Sequence, residues 1–222
     1  LVLLSDYKQC RVHAVISAGR VVTTDLFRQR QPIAAVGLNS VKRQPIHSQD
    51  LKIPAIDAPF PVIGVSPGSI ITDRLNVTLP NHNGQHVADT HNDILKICVL
   101  ERHGYNGSIG RGFVKGFGLQ HGALASSVGH DSHNLCVLGS ADDDMTAAVN
   151  HLIRIGGGFA IFHQGRLIAE LPLPLAGLMS LAPYEQVHQH LLNLRAAVRR
   201  MGCPLPEPFL QLAFLALPVI PH

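Results

Sequence analysis

The chain has 222 residues, 46% of them hydrophobic and 15% charged, with a formal net charge of +3. This composition excludes a disordered chain or a charged solenoid and predicts one or two domains around a sizeable core. Lys and Arg form no cluster longer than a pair. The basic stripe of a nucleic-acid binder is absent, and no nucleic acid is expected as a partner.

Charge is scarcer than usual, which predicts that some surface faces another domain or subunit. Cys10, Cys98, Cys136 and Cys203 are far apart and form no Cys-x-x-Cys. Three of them lie in or beside apolar segments and read as buried thiols of a reducing compartment, so a cytoplasmic location is expected. There is no signal peptide. The apolar run Phe209–Val219 is broken by Gln211 and Pro218 and is shorter than the roughly 18 residues of a span, so no membrane association is expected. The chain opens without Met on Leu1-Val-Leu-Leu4, as a fragment of something longer would.

Residues 1–22 read as strands, Leu1–Leu4 and the alternating Arg11–Ile16, with a tight turn at Ala18-Gly-Arg20 before Val21-Val22. So few strands make no core, and this piece is expected to be the end of a flanking β-domain. Residues 23–60 carry Pro32, Pro45, Pro54 and Pro59 and read as a connector, with Ser48-Gln-Asp50 capping one short turn.

Residues 61–101 predict an antiparallel set: Val62–Val65, Ile70-Ile71 with Val77–Leu79, and Ile94–Leu100, with turns at Pro67-Gly68 and Asn83-Gly84. Residues 104–122 are glycine-dense. Gly110-x-Gly112-x-x-x-Gly116 misses the dinucleotide spacing, and these glycines read as close packing and positive φ.

Residues 135–171 form the best-defined unit. A buried strand at Leu135–Leu138 leads into a helix that Ser140 and Asp143 would open as a capping box, with Asp142, Asp143 and Asp144 in its first turn. Met145, Val149, Leu152 and Ile153 form its apolar face. Gly156-Gly-Gly158 stops it, Phe159–Phe162 is the next strand, and Gln164-Gly165 turns into Arg166–Glu170. This is a β-α-β unit with parallel strands. Leu171-Pro-Leu-Pro-Leu175 is stiff and extended. A long C-terminal helix spans about Pro183–Met201, buries Val187, Leu191, Leu194, Val198 and Met201, and leaves His188 and His190 on its wetter side. The fold class expected is α+β or mixed α/β, built on a mixed sheet, with residues 61–222 as the main domain.

The densest chemistry is Val128-Gly-His-Asp-Ser-His-Asn134, between apolar runs. In a strand Asp131 and His133 share a face while His130 points away. Ser132, His133 and Asp131 are too close in sequence to line up as a triad. Three readings stay open for His130, Asp131, His133 and Asn134: a structural corner, a contact to a neighbouring active site, or metal ligation. Glu101, Arg102 and His103 form a second polar knot at a strand end. Lys115, between Val114 and a Gly-Phe pair, must reach solvent or an acidic partner.

Four stretches then carry a resemblance: Phe113-Val-Lys-Gly-Phe-Gly-Leu119, Gly129-His-Asp-Ser-His-Asn134, Leu171-Pro-Leu-Pro-Leu-Ala-Gly-Leu-Met-Ser180 and Phe214-Leu-Ala-Leu-Pro-Val-Ile-Pro221. Together, and in this order, they resemble the C-terminal region of bacterial adenine deaminases of the amidohydrolase superfamily. The resemblance implies hydrolysis of adenine to hypoxanthine and ammonia by a metal-activated water. It also implies that the divalent metal (manganese, iron or zinc) sits in an upstream barrel, whose His-x-His is missing here. His188-Gln-His190 has that spacing but lies in a helical stretch. No metal is expected in this chain, which alone would be inactive. Its expected partners are the barrel, adenine through the parent enzyme, and further copies in a homo-oligomer. The sites the resemblance leaves as candidates are His130, Asp131, His133 and Asn134 for catalysis and Glu101, Arg102, His103 and Lys115 for substrate. The alternative is a non-catalytic assembly domain of an amidohydrolase.

Overall fold

A computed structural model describes residues 1–29 and 34–217. The chain divides into two compact units, Leu1–Ala35 and Val36–His222. In the first, β1 (Val2–Asp6) pairs antiparallel with β2 (Arg11–Ser17), which pairs with β3 (Arg20–Val21). A short helix, α1 (Thr24–Arg28), follows. Leu1, Val2, Leu3, Leu4, Val12 and Val21 are exposed. None of the described residues of this unit is buried, so its strands hold no core of their own.

The second unit is built on an eight-stranded sheet. Its strands in sequence are β5 (Phe60–Val65), β6 (Thr72–Val77), β9 (Ile94–Leu100), β10 (Ile109–Lys115), β11 (Ala123–Ser126), β12 (Leu135–Gly139), β13 (Gly158–His163) and β14 (Arg166–Pro172). Across the sheet the order is β14-β13-β11-β12-β9-β10-β5-β6. The β10–β5 pair is parallel and every other pair antiparallel, so the sheet is mixed as expected. A small sheet joins β4 (Ile53–Pro54), β7 (Asn81–His82) and β8 (Gln85–His86).

The central strands are apolar on both faces because both are covered, which is why they read as continuous hydrophobic runs. Alternation sorts the side chains. Leu95, Ile97, Leu124, Cys136, Leu138 and Ile161 face a cluster shared with α3 (Tyr184–Arg200) and α4 (Pro208–Leu215). Cys98, Leu100, Ala123, Ala125, Leu135, Val137, Ala160 and Phe162 face α2 (Asp142–Ile155) through Met145, Val149 and Leu152. Each fully buried Leu, Met or Phe contributes about 1.5–3 kcal/mol relative to exposure. Ile46, Leu51 and Ile53, within the stretch read as a connector, are buried too.

β12, α2 and β13 form the expected crossover with parallel strands. β11 lies between the two strands and is antiparallel to both. The helix stops at Gly156 (φ +80), whose N–H bonds to Leu152 O. A Cβ at Gly158 would lie 2.1 Å from Leu171 O, so only glycine lets β13 approach β14 there.

Several details depart from expectation. Ser140 does not cap α2: the N-cap is Ala141, without a side-chain cap, and Ser140 Oγ bonds to Gly122 O instead. Asp142 pairs with buried Lys96 at 2.6 Å, and Asp144 accepts from the backbone N–H groups of Gln164 and Gly165. Residues 61–101 are not one antiparallel set, because β10 comes between β5 and β9. Ile70 and Ile71 are exposed and precede β6. The glycine-dense stretch contains β10, with Gly110 and Gly112 inside the strand. Gly104, Gly107, Gly116, Gly118 and Gly122 do take positive φ. His190 is partly buried and donates from Nδ1 to Glu170 O at 2.7 Å, while His188 is exposed. The apolar C-terminal run forms α4; its residues 218–221 lie outside the described residues.

Candidate functional site

The register of the sheet assembles one polar rim. Leu100, at the end of β9, pairs with Ile109 of β10 on one side and Leu135 of β12 on the other. Residues 101–108 and 128–134 therefore emerge side by side. Lys115 pairs with Ile94 at the opposite end of that hairpin, roughly 20 Å away at about 3.4 Å per residue. It is exposed there and does not join the rim.

The 128–134 segment is a turn, not a strand, so the alternation argument does not apply to it. Asp131 meets His130 Nδ1 rather than His133. His130 N donates to Ala213 O and its ring stacks on Phe214 of α4, with centroids 5.5 Å apart. His133 N donates to Gly129 O, and His133 takes φ +49. Ser132 Oγ accepts from Asn134 Nδ2 at 3.1 Å and has no histidine partner, which removes the triad reading. The two polar knots meet here: His103 Nε2 donates to Ser132 O at 2.8 Å. That acceptor fixes the proton on Nε2.

Glu101 turns inward. Its carboxylate accepts from the backbone N–H groups of His103 and Gly107 and so shapes the 103–107 loop. Burial pushes its pKa up, but the N–H donors of Gly107, His103, Tyr105 and Asn106 outweigh that and hold it below the ordinary value. A carboxylate occupied in this way caps its own loop.

Arg102 is only 3% exposed. Its guanidinium donates to Ser40 Oγ at 3.1 Å and to Ala176 O at 3.0 Å. Nε has no partner, and no carboxylate among the described residues pairs with this cation. Burial alone lowers its pKa. His133 Nδ1 and Asn134 Oδ1 are likewise buried without partners. The pKa of His133 is lowered first by burial and next by Arg102, which favours the neutral imidazole with one donor and one acceptor nitrogen. Buried polar atoms are normally bonded, and each left unpaired costs about 1–3 kcal/mol. Three such side chains, Arg102, His133 and Asn134, lie at this one rim. Ser127, fully buried, accepts from Gly158 N and donates to Gly177 O, fixing the 176–177 turn against Arg102.

Sequence reasoning missed Ser40 and Ser127. It did single out the stretch containing Ala176 and Gly177, but as an extended segment with no link to Arg102.

These donors do not suit a metal ion. His130 and His103 are committed to Asp131 and a carbonyl, and His133 lies beside a cation. Among the described residues no group of three His, Cys, Asp or Glu side chains is placed to hold one. No helix among them is long and apolar enough to cross a membrane.

Residues 69–222 match the family model described as the adenine deaminase C-terminal domain. The chain belongs to that family. It is 55% identical over 223 residues to a protein named adenine deaminase from Gluconobacter oxydans (strain 621H), covering 100% of this chain and 40% of the relative. It is 53% identical over 223 residues to an adenine deaminase of Methylobacterium nodulans and 51% identical over 222 residues to an adenine deaminase 1 of Rhizobium johnstonii, each over 100% of this chain and 39% of the relative. The chain thus spans about 40% of the length of the curated relatives it matches. The family places Arg102, His103 and the 130–134 turn within an adenine deaminase C-terminal domain.

Proposed function

We propose that this chain is the C-terminal part of an adenine deaminase, an enzyme that hydrolyses adenine to hypoxanthine and ammonia in purine salvage. In this reading the 128–134 turn, with Arg102 and His103 behind it, lies against the mouth of an upstream barrel. The three unpaired buried atoms, Arg102 Nε, His133 Nδ1 and Asn134 Oδ1, carry the argument. A rim of neutral imidazole, amide and guanidinium can receive or order a polar heterocycle. It supplies no nucleophile of its own.

The divalent metal (manganese, iron or zinc) belongs to the upstream barrel, since the donors here are otherwise engaged. β1, β2 and β3 complete the sheet of a flanking β-domain, which accounts for their exposed apolar side chains. The parent enzyme is cytoplasmic and homo-oligomeric, and the chain by itself is inactive.

The test is His133→Ala in the full-length enzyme. Turnover should fall at least about tenfold, equivalent to about 1.4 kcal/mol of barrier. The Tm should move less than about 3 °C, under about 1 kcal/mol for a domain of this size. An unchanged rate with a lowered Tm would make the turn a structural corner and favour the assembly-domain alternative.

A further inference from the structure

On the rim's other side, the 42–50 segment and the 101–111 hairpin line an open cleft of about 870 Å³. Its lining is polar, with Lys42, Arg43 and Arg111 facing Asp50 and Glu101.

The hydrogen-bond inventory of the walls is lopsided. Both oxygens of Glu101 accept from loop N–H groups. Asp50 Oδ2 accepts from His47 N. The carbonyls of Glu101, Gly107 and Ser108 are taken by Arg43, and those of Asp50 and Ile109 by Arg111. Asn106 Oδ1 accepts from Ser108 N. The cleft's acceptors are thus largely satisfied by its own walls. The donors are in surplus: the exposed Lys42 ammonium has no partner among the described residues, and Arg111 bonds only to neutral carbonyls. On the rim, Tyr105 is 88% exposed, its ring meeting only that of His103, with centroids 6.3 Å apart, among the described residues.

A ligand for such a cleft must be rich in acceptors, anionic and able to stack. We infer that the cleft binds a phosphate monoester that carries a nucleobase, a mononucleotide. The phosphate would sit between Lys42 and Arg111, where a guanidinium and an ammonium offer charge-assisted bonds. The base would lie on the face of Tyr105. This inference does not depend on the deaminase reading.

The test is calorimetric titration of the 222-residue chain with AMP, adenosine, ribose 5-phosphate and inorganic phosphate, at low and at high salt. AMP should bind saturably and at least about tenfold more tightly than each of the others, and more weakly as salt rises. Lys42→Ala with Arg111→Ala should weaken AMP at least about tenfold while the circular dichroism spectrum stays unchanged. Tyr105→Ala should remove most of the preference of AMP over ribose 5-phosphate. Absence of saturable AMP binding would overturn the inference. Equal affinity for inorganic phosphate, or AMP affinity unaffected by the double substitution, would do so as well.

Discussion

Replacing Arg102 with methionine separates a cation kept for function from one kept for stability. The guanidinium makes two charge-assisted hydrogen bonds, to Ser40 Oγ and Ala176 O. At about 1.5–3 kcal/mol each, losing both costs roughly 3–6 kcal/mol. Against that stands the penalty of holding an unpaired cation at 3% exposure, several kcal/mol that the substitution removes. The two effects nearly cancel, so Arg102→Met should change unfolding free energy by no more than about 2 kcal/mol in either direction. Arg102→Lys keeps the charge, loses the planar fork and should be less stable than the methionine variant by about 1–3 kcal/mol. Urea unfolding followed by circular dichroism measures both, with an unchanged m-value as the check on two-state behaviour. NMR titration gives a second readout. The His133 pKa should rise towards its ordinary value in the methionine variant, because Arg102 is the second cause of its depression after burial. A loss above about 4 kcal/mol for methionine, with lysine the better replacement, would mean the charge is compensated within the fold.

Ser127→Ala leaves Gly158 N–H and Gly177 C=O buried without their hydroxyl partner, and should cost about 2–4 kcal/mol in urea unfolding. His133 has a folded pKa below its unfolded one, so the unfolded chain takes up that proton first as pH falls. Its contribution should drain away as pH drops through about 6.5 and stop changing below the folded pKa. His133→Asn, which tolerates the positive φ, should flatten that part of the stability profile. Cys10 is exposed, whereas burial pushes Cys98 and Cys136 up to about 12 and Cys203 up to about 11. A thiol reagent at pH 8 should therefore label one cysteine in the native chain and all four in denaturant.

The crossover was readable because its signals are local: an apolar strand, a helix with period 3.6, a glycine stop. β10 was not, because Gly110 and Gly112 give it no apolar alternation. What makes it a strand is pairing on both sides, with β9 and β5. Ser140 and Asp143 had the spacing of a capping box, but a tertiary acceptor, Gly122 O, took the hydroxyl. The rim was half legible. Both polar knots stand out as dense chemistry at strand ends, yet their contact joins His103 to Ser132, and Arg102 finds its partners at Ser40 and Ala176. No periodicity or spacing links residues so far apart in the chain. Glu101 shows the converse limit, since nothing local in the sequence reveals that its carboxylate closes its own loop.

The parallel β5–β10 pair also bears on where this domain can be cut. The family match begins at residue 69, but β5 ends at Val65 and lies between β6 and β10. A polypeptide started at the family boundary would detach β6 and turn β10 into a raw edge, with Phe113 and Val114 losing their partners Val62 and Ile63. An unprotected strand of that kind recruits other chains. The smallest piece expected to stay monodisperse therefore begins near Val36, some thirty residues before the boundary that sequence similarity marks.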